Sequence, residues 1–342
     1  MRLPSWPSIL LSACVALHAQ TRTIVDMAGR TVRVPQQIRR IYAPTPYGSY
    51  MLFAVAPDLM SGLIFQLKEE DKPFLSPAVH KLPVIGGRFG GGANTNLEVL
   101  LKSKPDLLLL WAESNRSFTK DSDEALTKFG IPGATAILDN LEGYPAVFRF
   151  LGKLLGREER CERLATYSQK TLDKVQATLK RIPPAKRPKV YYAEGPDGLS
   201  TECNDSLHAE LLKLAGDCNV HHCHTSGHVG MEKVSLEQVM IYNPDVLVVQ
   251  EPTFYYRVWS DPAWQRVKAV KEGRIYLVPR SPLNWFDRPP SFMRILGIQW
   301  LMHSLYPKDY PVDIVKEARN FYALFLGAQV SDAQMQNVIY RK

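Results

Sequence analysis

The segment NLEVLLKSKPDLLLLW, Asn96 to Trp111, returns as SLEQVMIYNPDVLVVQ, Ser235 to Gln250, at an offset of 139 residues (235 − 96). Each copy has a polar opener, Leu-Glu, a helix-compatible stretch, Pro-Asp and then four aliphatic residues. Physically each is a complete αβ unit. Asn96 or Ser235 can cap a short helix, and the glutamate that follows complements the helix dipole in the first turn. The residue before a proline is pushed out of the α region, so Pro105 and Pro244 stop the helix. LLLL and VLVV are too short for helices and do not alternate, so they read as strands covered on both faces. A duplicated αβ unit predicts two similar lobes.

The length of 342 residues accommodates two lobes of about 150 residues each. Hydrophobic and charged contents of 45% and 22% are ordinary for a globule with a sizeable core. The formal charge of +8 raises nucleic acid as a partner. The basic residues, however, are interleaved with acids, as in KEEDK and GREERCERL, which predicts solvated faces and no nucleic acid.

Residues 1–19 read as a signal peptide: a basic start at Arg2, an apolar stretch from Ser8 to Leu17, and Ala19 at the cut. Leu11-Ser12-Ala13-Cys14 offers the alternative of a lipoprotein anchored at Cys14. Either route exports the chain to the periplasm. Cys203 with Cys218 or with Cys223 can form one disulfide there, whereas Cys161 reads as a buried small apolar side chain on a helix.

Residues 20–144 then form a first α/β lobe. It starts with a hairpin around Ala28-Gly29 and continues through strands at Arg39–Ala43, Val84-Ile85 and Leu107–Trp111, with a helix from about Ser49 to Ala54. Residues 145–183 form an interlobe helical segment. Its pattern places Cys161, Leu164, Ser168, Leu172, Val175 and Leu179 on one stripe of a helix about 36 Å long. Residues 184–342 form the second lobe, with strands at Lys189–Ala193, within the repeat, and at Ile275–Val278. Helices are expected over Leu207–Leu214, Arg294–Tyr306 and Asp313–Leu326. The expected fold is therefore α/β: two Rossmann-like lobes with mostly parallel sheets, one long interlobe helix and a ligand cleft between the lobes.

Several segments, in this order, resemble the class III periplasmic solute-binding proteins of ABC importers: IVDMAGRTVRVPQQIRRI, NLEVLLKSKPDLLLL, LGKLLGREER, SLHAELLKLAGDCNV, SLEQVMIYNPDVLVV, DPAWQRVKAVKEGRIYLVP and NWFDRPPSFMRILGIQWL. The FDRPPS run, Phe286 to Ser291, and YYAEGPDGLST point within that family to handlers of iron or nickel chelates and molybdate. The resemblance implies a monomer that binds a metal chelate as cargo, has no resident cofactor and delivers to an inner-membrane permease dimer. It also implies that Glu98 and Glu237, one per lobe, dock on permease arginines. Molybdate, cobalamin or haem are the alternative cargoes.

In open parallel sheets ligands bind beyond the carboxyl ends of the strands. Those ends carry Tyr47, Arg88, Phe89, Trp111, Arg116, Glu194, Tyr255, Tyr256, Trp285 and Arg288, a mixture that suits a bulky anionic chelate. The run CNVHHCHTSGHVG adds His221, His222, His224 and His228 as candidate ligands for nickel, zinc or copper. GGRFGGGAN matches no nucleotide fingerprint, and no G-x-S-x-G, H-E-x-x-H or C-x-x-C occurs. The expectation is a binding protein rather than an enzyme. A chelatase-like enzyme and a metal-storage protein are the rivals.

Overall fold

The computed structural model describes residues 20–89, 92–93, 95–114, 129–224 and 230–340. The expected signal peptide, Cys14, Arg116 and His228 lie outside the described residues.

Strands β1 (Thr21–Val25) and β2 (Thr31–Pro35) form the expected antiparallel hairpin, with Asp26 accepting from the backbone N–H groups of Ala28 and Arg30 at the turn. β3 (Ile41–Tyr42) leads to helix α1 (Pro46–Val55), capped by Thr45. Val84-Ile85 contributes only an isolated bridge, between Val84 and Leu63. β4 (Arg88–Phe89) and β5 (Gly92–Ala93) form a small hairpin before α2 (Leu97–Ser103), β6 (Leu107–Ala112) and β7 (Gly133–Ile137).

The segment between the repeats holds two helices where the apolar pattern of one was recognised. α3 (Tyr144–Leu155) ends at Gly156 in the left-handed conformation, and α4 (Glu158–Leu179) starts two residues later and packs against it. The buried face of α4 includes Cys161, Leu164, Ser168, Leu172 and Val175, as its stripe predicts.

The second lobe comprises β8 (Val190–Ala193), β9 (Ser200–Thr201), α5 (Glu210–Leu214), β10 (Glu232–Lys233), α6 (Leu236–Tyr242), β11 (Val246–Val249), α7 (Pro252–Val258), α8 (Lys268–Lys271), β12 (Ile275–Leu277), α9 (Arg294–Leu305), α10 (Ile314–Phe321) and α11 (Asp332–Tyr340). α5 is preceded by a 3-10 turn at Leu207–Ala209, and α10 runs into a π-helical turn at Tyr322–Leu326.

The two main sheets are parallel and match strand for strand, in the orders β3-β6-β7 and β8-β11-β12. The repeat occupies the central strand of each, together with the helix before it. α2 and α6 are both seven residues long, and their caps Asn96 and Ser235 accept from the backbone N–H of Val99 and Gln238. They end at Lys104 (φ 47, ψ 58) and Asn243 (φ 47, ψ 59). The aspartate after each proline clamps the neighbouring strand: Asp106 accepts from the N–H groups of Arg39 and Arg40, and Asp245 from that of Lys189.

The aliphatic runs divide in the same way. Leu107, Leu109, Val246 and Val248 enter one large core that spans both lobes, whereas Leu108 and Leu110, and Leu247 and Val249, enter separate cores, one per lobe. Both faces of each sheet are dry, which is why the runs do not alternate.

Replacing Asp245 by Ala removes acceptors from the Lys189 N–H and from Lys268 Nζ (2.6 Å). A loss of about 1 to 3 kcal/mol in urea unfolding is expected. Asp106→Ala should cost a similar amount through the equivalent clamp in the first lobe.

Candidate functional site

β8 ends at Ala193, and from Glu194, which bridges to Ser200, a tight turn brings the chain straight back. Glu194 N–H donates to Ser200 O at 2.8 Å, and Gly198 takes φ +72 at the tip. A Cβ at Gly198 would lie 2.3 Å from the Phe254 ring, so only glycine lets the turn pack on α7. The return places Glu202 near Glu194, with both carboxylates fully buried. At Gly230 a Cβ would lie 2.2 Å from the Glu202 carboxylate; its absence lets Met231 N–H donate to Glu202 Oε1 at 2.8 Å.

Arg288 enters this pair from the loop after β12. Asn284 Oδ1 accepts from the N–H groups of Phe286 and Asp287, tightening the loop. Arg288 sits at φ 60, a left-handed conformation that costs a non-glycine residue about 1 to 2 kcal/mol. Its guanidinium donates from Nε to Glu194 Oε1 at 2.5 Å, from Nη2 to Glu194 Oε2 at 3.3 Å, and also from Nη2 to Glu202 Oε1. Asp287 Oδ2 lies 3.7 Å from Arg288 Nε and 2.6 Å from His208 Nδ1. Ser206 Oγ donates to Glu202 Oε2 at 2.8 Å.

Three carboxylates thus surround one guanidinium and one imidazole. Burial pushes the pKa of Glu194 up to about 7; the bond and charge of Arg288 pull it down, and the charges of Glu202 and Asp287 add to the rise. For His208, burial disfavours the charged form, but the hydrogen bond and charge of Asp287 outweigh it and raise the pKa. Buried beside these groups, Tyr192 Oη, Thr201 Oγ1, Gln250 Oε1 and Asp287 Oδ1 have no protein hydrogen-bond partner among the described residues.

The cluster adjoins the seam between the lobes. Arg294, fully buried, pairs with Glu210 at 2.5 Å, and Glu210 Oε1 accepts from the first lobe's Leu141 N–H at 2.8 Å. Tyr144 lies within electrostatic reach of Arg294, Glu210 and Tyr47. Tyr47, in the first turn of α1, stacks on Trp111, near the end of β6, with ring centroids 5.9 Å apart. A cavity of about 210 Å³ between α1, the following loop and Pro282-Leu283 is lined by none of these carboxylates.

The structure therefore brings together Tyr47 with Trp111 and Glu194 with Arg288. Arg288, expected to receive an anionic ligand, already donates from Nε and Nη2 to Glu194 and Glu202. Trp285, expected at the strand ends, is fully buried and donates from Nε1 to Tyr322 Oη at 3.2 Å; the tight loop turns that ring into the common core. Tyr255 and Tyr256 lie on α7 and form an aromatic group with Trp259. Of Arg88 and Phe89 only the backbone is described, on β4.

The histidine run does not gather into one cluster among its described members. His221 is buried between Tyr242 Oη (2.8 Å) and Glu232 Oε2 (2.9 Å), His224 meets Asp205 at the surface, and His222 is exposed. The reason is the Cys203–Cys223 disulfide, which pins this segment against the β9–β10 strand pair and selects the second of the two pairings left open. Cys218 and Cys161 are buried free thiols, both pushed by burial up to about 12. Glu202, His208, Glu210, Asp287 and Arg294 escaped recognition as site residues, although Asp287 lies inside the FDRPPS run and His208 inside SLHAELLKLAGDCNV.

Residues 76–282 match a protein family described as periplasmic binding protein. The chain belongs to the periplasmic binding protein family. An ABC transporter solute binding protein from Sulfurospirillum deleyianum DSM 6946 superposes on this binding protein with a TM-score of 0.85 and 39% identity, over 93% of this chain and 98% of that one. The molybdate-binding protein MolA of Haemophilus influenzae is 24% identical over 337 residues, 92% of this chain and 94% of its own. CeuE of Helicobacter pylori, solved as a nickel–histidine complex, shares the fold at 16% identity and a TM-score of 0.66, covering 94% of this chain and 99% of that one. These relatives are solute-binding proteins rather than enzymes, and solute-binding proteins of ABC importers take small-molecule ligands and work with a membrane permease. Among the described residues, no helix is long and apolar enough to cross a membrane.

A raised pKa at Glu194 means that the folded state disfavours its ionised form. Stability from this group is complete below about pH 4.5 and is lost as the pH rises through about 7. Melting temperatures of the wild type and Glu194→Gln, compared across that window, should diverge in that direction: the wild type loses ground to the variant as pH rises.

Proposed function

We propose that this binding protein captures a chelated transition metal, of the ferric-siderophore or nickel-chelate type, in the cleft between its lobes and delivers it to an inner-membrane ABC permease. The observation that carries the cargo class is the excess of carboxylates over cations around Arg288. A bare oxyanion approaching it meets like charge, and must displace a carboxylate to reach the guanidinium. A metal complex presenting N–H or O–H donors, or net positive charge, meets acceptors instead. Tyr47, partly exposed and stacked on the buried Trp111, supplies flat apolar contact for a chelator. Molybdate is the second reading, because the relative matched over nearly the whole chain is named for it.

Capture involves no bond making or breaking in the protein. The closed cleft binds cargo better than the open one, and that difference drives a small rigid-body closure. Delivery rests on Glu98 and Glu237, exposed in the first turns of the paired helices α2 and α6. Hydrogen bonds from its own backbone N–H and from the Ser235 hydroxyl hold the Glu237 carboxyl below its usual range, so it stays ionised. Exposed Leu97, Leu101 and Ile241 flank the two glutamates and give each patch an apolar component. A permease dimer presents two equivalent surfaces, which two equivalent patches on a monomer can meet. Export by the signal peptide, with cleavage after Ala19, brings the protein to that permease.

Native mass spectrometry of the protein isolated from its own cell envelope, followed by calorimetry with nickel–histidine, ferric citrate and molybdate, tests the cargo. A metal chelate should bind under conditions where molybdate does not; the reverse order would replace the metal-chelate reading by the molybdate one. Independently, the Glu98→Lys, Glu237→Lys double variant should lose uptake and permease binding while cargo affinity and melting temperature stay near wild type. Normal uptake by that variant rules out the docking role.

A further inference from the structure

At the corner where β9 and β10 pair, four metal-ligating side chains converge: Cys203, His221, Cys223 and Glu232. One ligand atom of each lies within 4.8 Å of all the others. Glu232 is the hub. Its Oε2 is 2.9 Å from His221 Nε2 and 3.5 Å from Cys223 Sγ, and its Oε1 is 3.4 Å from Cys203 Sγ. In a tetrahedral centre with metal–sulfur bonds of about 2.3 Å and metal–nitrogen bonds of about 2.0 Å, ligand atoms lie roughly 3.3 to 3.8 Å apart. The two sulfur–carboxylate spacings already fall in that range, and the imidazole–carboxylate hydrogen bond at 2.9 Å would lengthen by about 0.4 Å to admit the ion.

The second nitrogen of His221 is fixed as well. Tyr242 Oη lies 2.8 Å from Nδ1, so the ring is held with Nε2 toward Glu232. An outer hydrogen bond of this kind orients a metal-binding histidine. His221 is buried, whereas Cys223 is partly accessible and Glu232 exposed, which opens a path from solvent. What the arrangement lacks in its oxidised form is thiolate, because Cys203 and Cys223 are bonded to each other.

We propose that Cys203, His221, Cys223 and Glu232 form a redox-gated site for a soft divalent cation of the zinc class: closed while the disulfide is intact, and competent once it is reduced. A dithiol reductant supplies two electrons and two protons, the Cys203–Cys223 bond breaks to two thiols, and the reductant closes to its own disulfide. The cation then displaces one proton from each thiol, forming two metal–sulfur bonds and releasing two protons, with His221 Nε2 and a Glu232 oxygen completing four ligands. Two thiolates, one imidazole and one carboxylate suit zinc over the harder magnesium or calcium. The site is separate from the cargo cluster and does not depend on the identity of the cargo.

Cobalt(II) titration of the full exported chain tests this, with Co²⁺ as the spectroscopic probe and Zn²⁺ as competitor. Reduced wild type should take up one equivalent, with thiolate-to-cobalt charge-transfer absorption and intense tetrahedral d–d bands, and Zn²⁺ should bleach both. Oxidised wild type and the Cys203→Ser, Cys223→Ser variant should show neither. Glu232→Gln keeps the disulfide, and after reduction should bind Co²⁺ about 10-fold or more weakly than wild type. Absence of the charge-transfer band in reduced wild type, its persistence in the double serine variant, or loss of the fold on reduction as read by circular dichroism would each overturn the proposal.

Discussion

The guanidinium of Arg160 ties the two halves of the molecule together from within α4. Its Nε donates to Ala54 O at the end of α1, and its Nη2 donates to Phe325 O beyond α10. Around this staple the C-terminal elements fold back across the first lobe: Phe325 packs on Phe148 and Tyr322 on Phe74. Ser281 adds a hydrogen bond to Asp71. The result is one core running from β3 to α11 rather than two cores in contact. Lobes joined in this way cannot swing through a wide hinge without tearing apolar surface out of contact. Their relative motion is confined to the side away from the common core, and small rigid-body closure is the kind such packing allows.

That restraint gives the carboxylate cluster its significance. Burying three carboxylates is costly unless each is paired, and here the compensation comes from Arg288 and His208 together with short-range donors such as Ser206 and Met231 N–H. The left-handed backbone of Arg288 is held by the same contacts, because the side chain that enters the cluster fixes the residue that carries it. A cluster so constrained is preorganised, which lowers the ordering cost of binding. It is also titratable near neutrality through Glu194. The charge of the cluster therefore depends on pH, even though the backbone around it is held.

Much of the architecture was legible because it rests on local rules written twice. A capped helix, a Pro-Asp stop and a dry four-residue strand can be read from one copy, and the second copy implied the paired lobes. The hairpin at Ala28-Gly29 and the stripe of α4 were equally local. β7, α7 and α11 were missed, since Gly133–Ile137 is a short, weakly apolar run and α7 and α11 are short helices, whereas α3 was expected only as part of one helical segment although Pro145 and Gly156 mark its ends. The site was legible only as a neighbourhood. Strand ends named Glu194 and Arg288, which the fold brings into contact, but a single arginine in a sequence does not reveal that it will be met by Glu202, eight residues beyond Glu194 across a tight turn. Trp285 and Asp287 are two residues apart and enter different environments because of the Asn284 turn, which no periodicity encodes.

The tight turn between Glu194 and Glu202 explains why the histidine-rich run and the carboxylate cluster, which look unrelated in sequence, share one scaffold. Cys203 directly follows Glu202, and its bond to Cys223 closes a loop of about 20 residues, which the chain-entropy account credits with about 3 kcal/mol. Within that loop Asn219 Nδ2 donates to Glu202 O at 2.8 Å, and beyond it Met231 N–H grips the Glu202 carboxylate. The covalent tie is thus adjacent to the residue that holds Arg288 in place. Backbone order at the disulfide and charge order in the carboxylate cluster are consequently one property of the β9–β10 corner. A histidine in this run is placed less by its neighbours in sequence than by the bond that draws Cys223 onto the β9–β10 strand pair. His221 is drawn inward with it, while His222 and His224 stay at the surface.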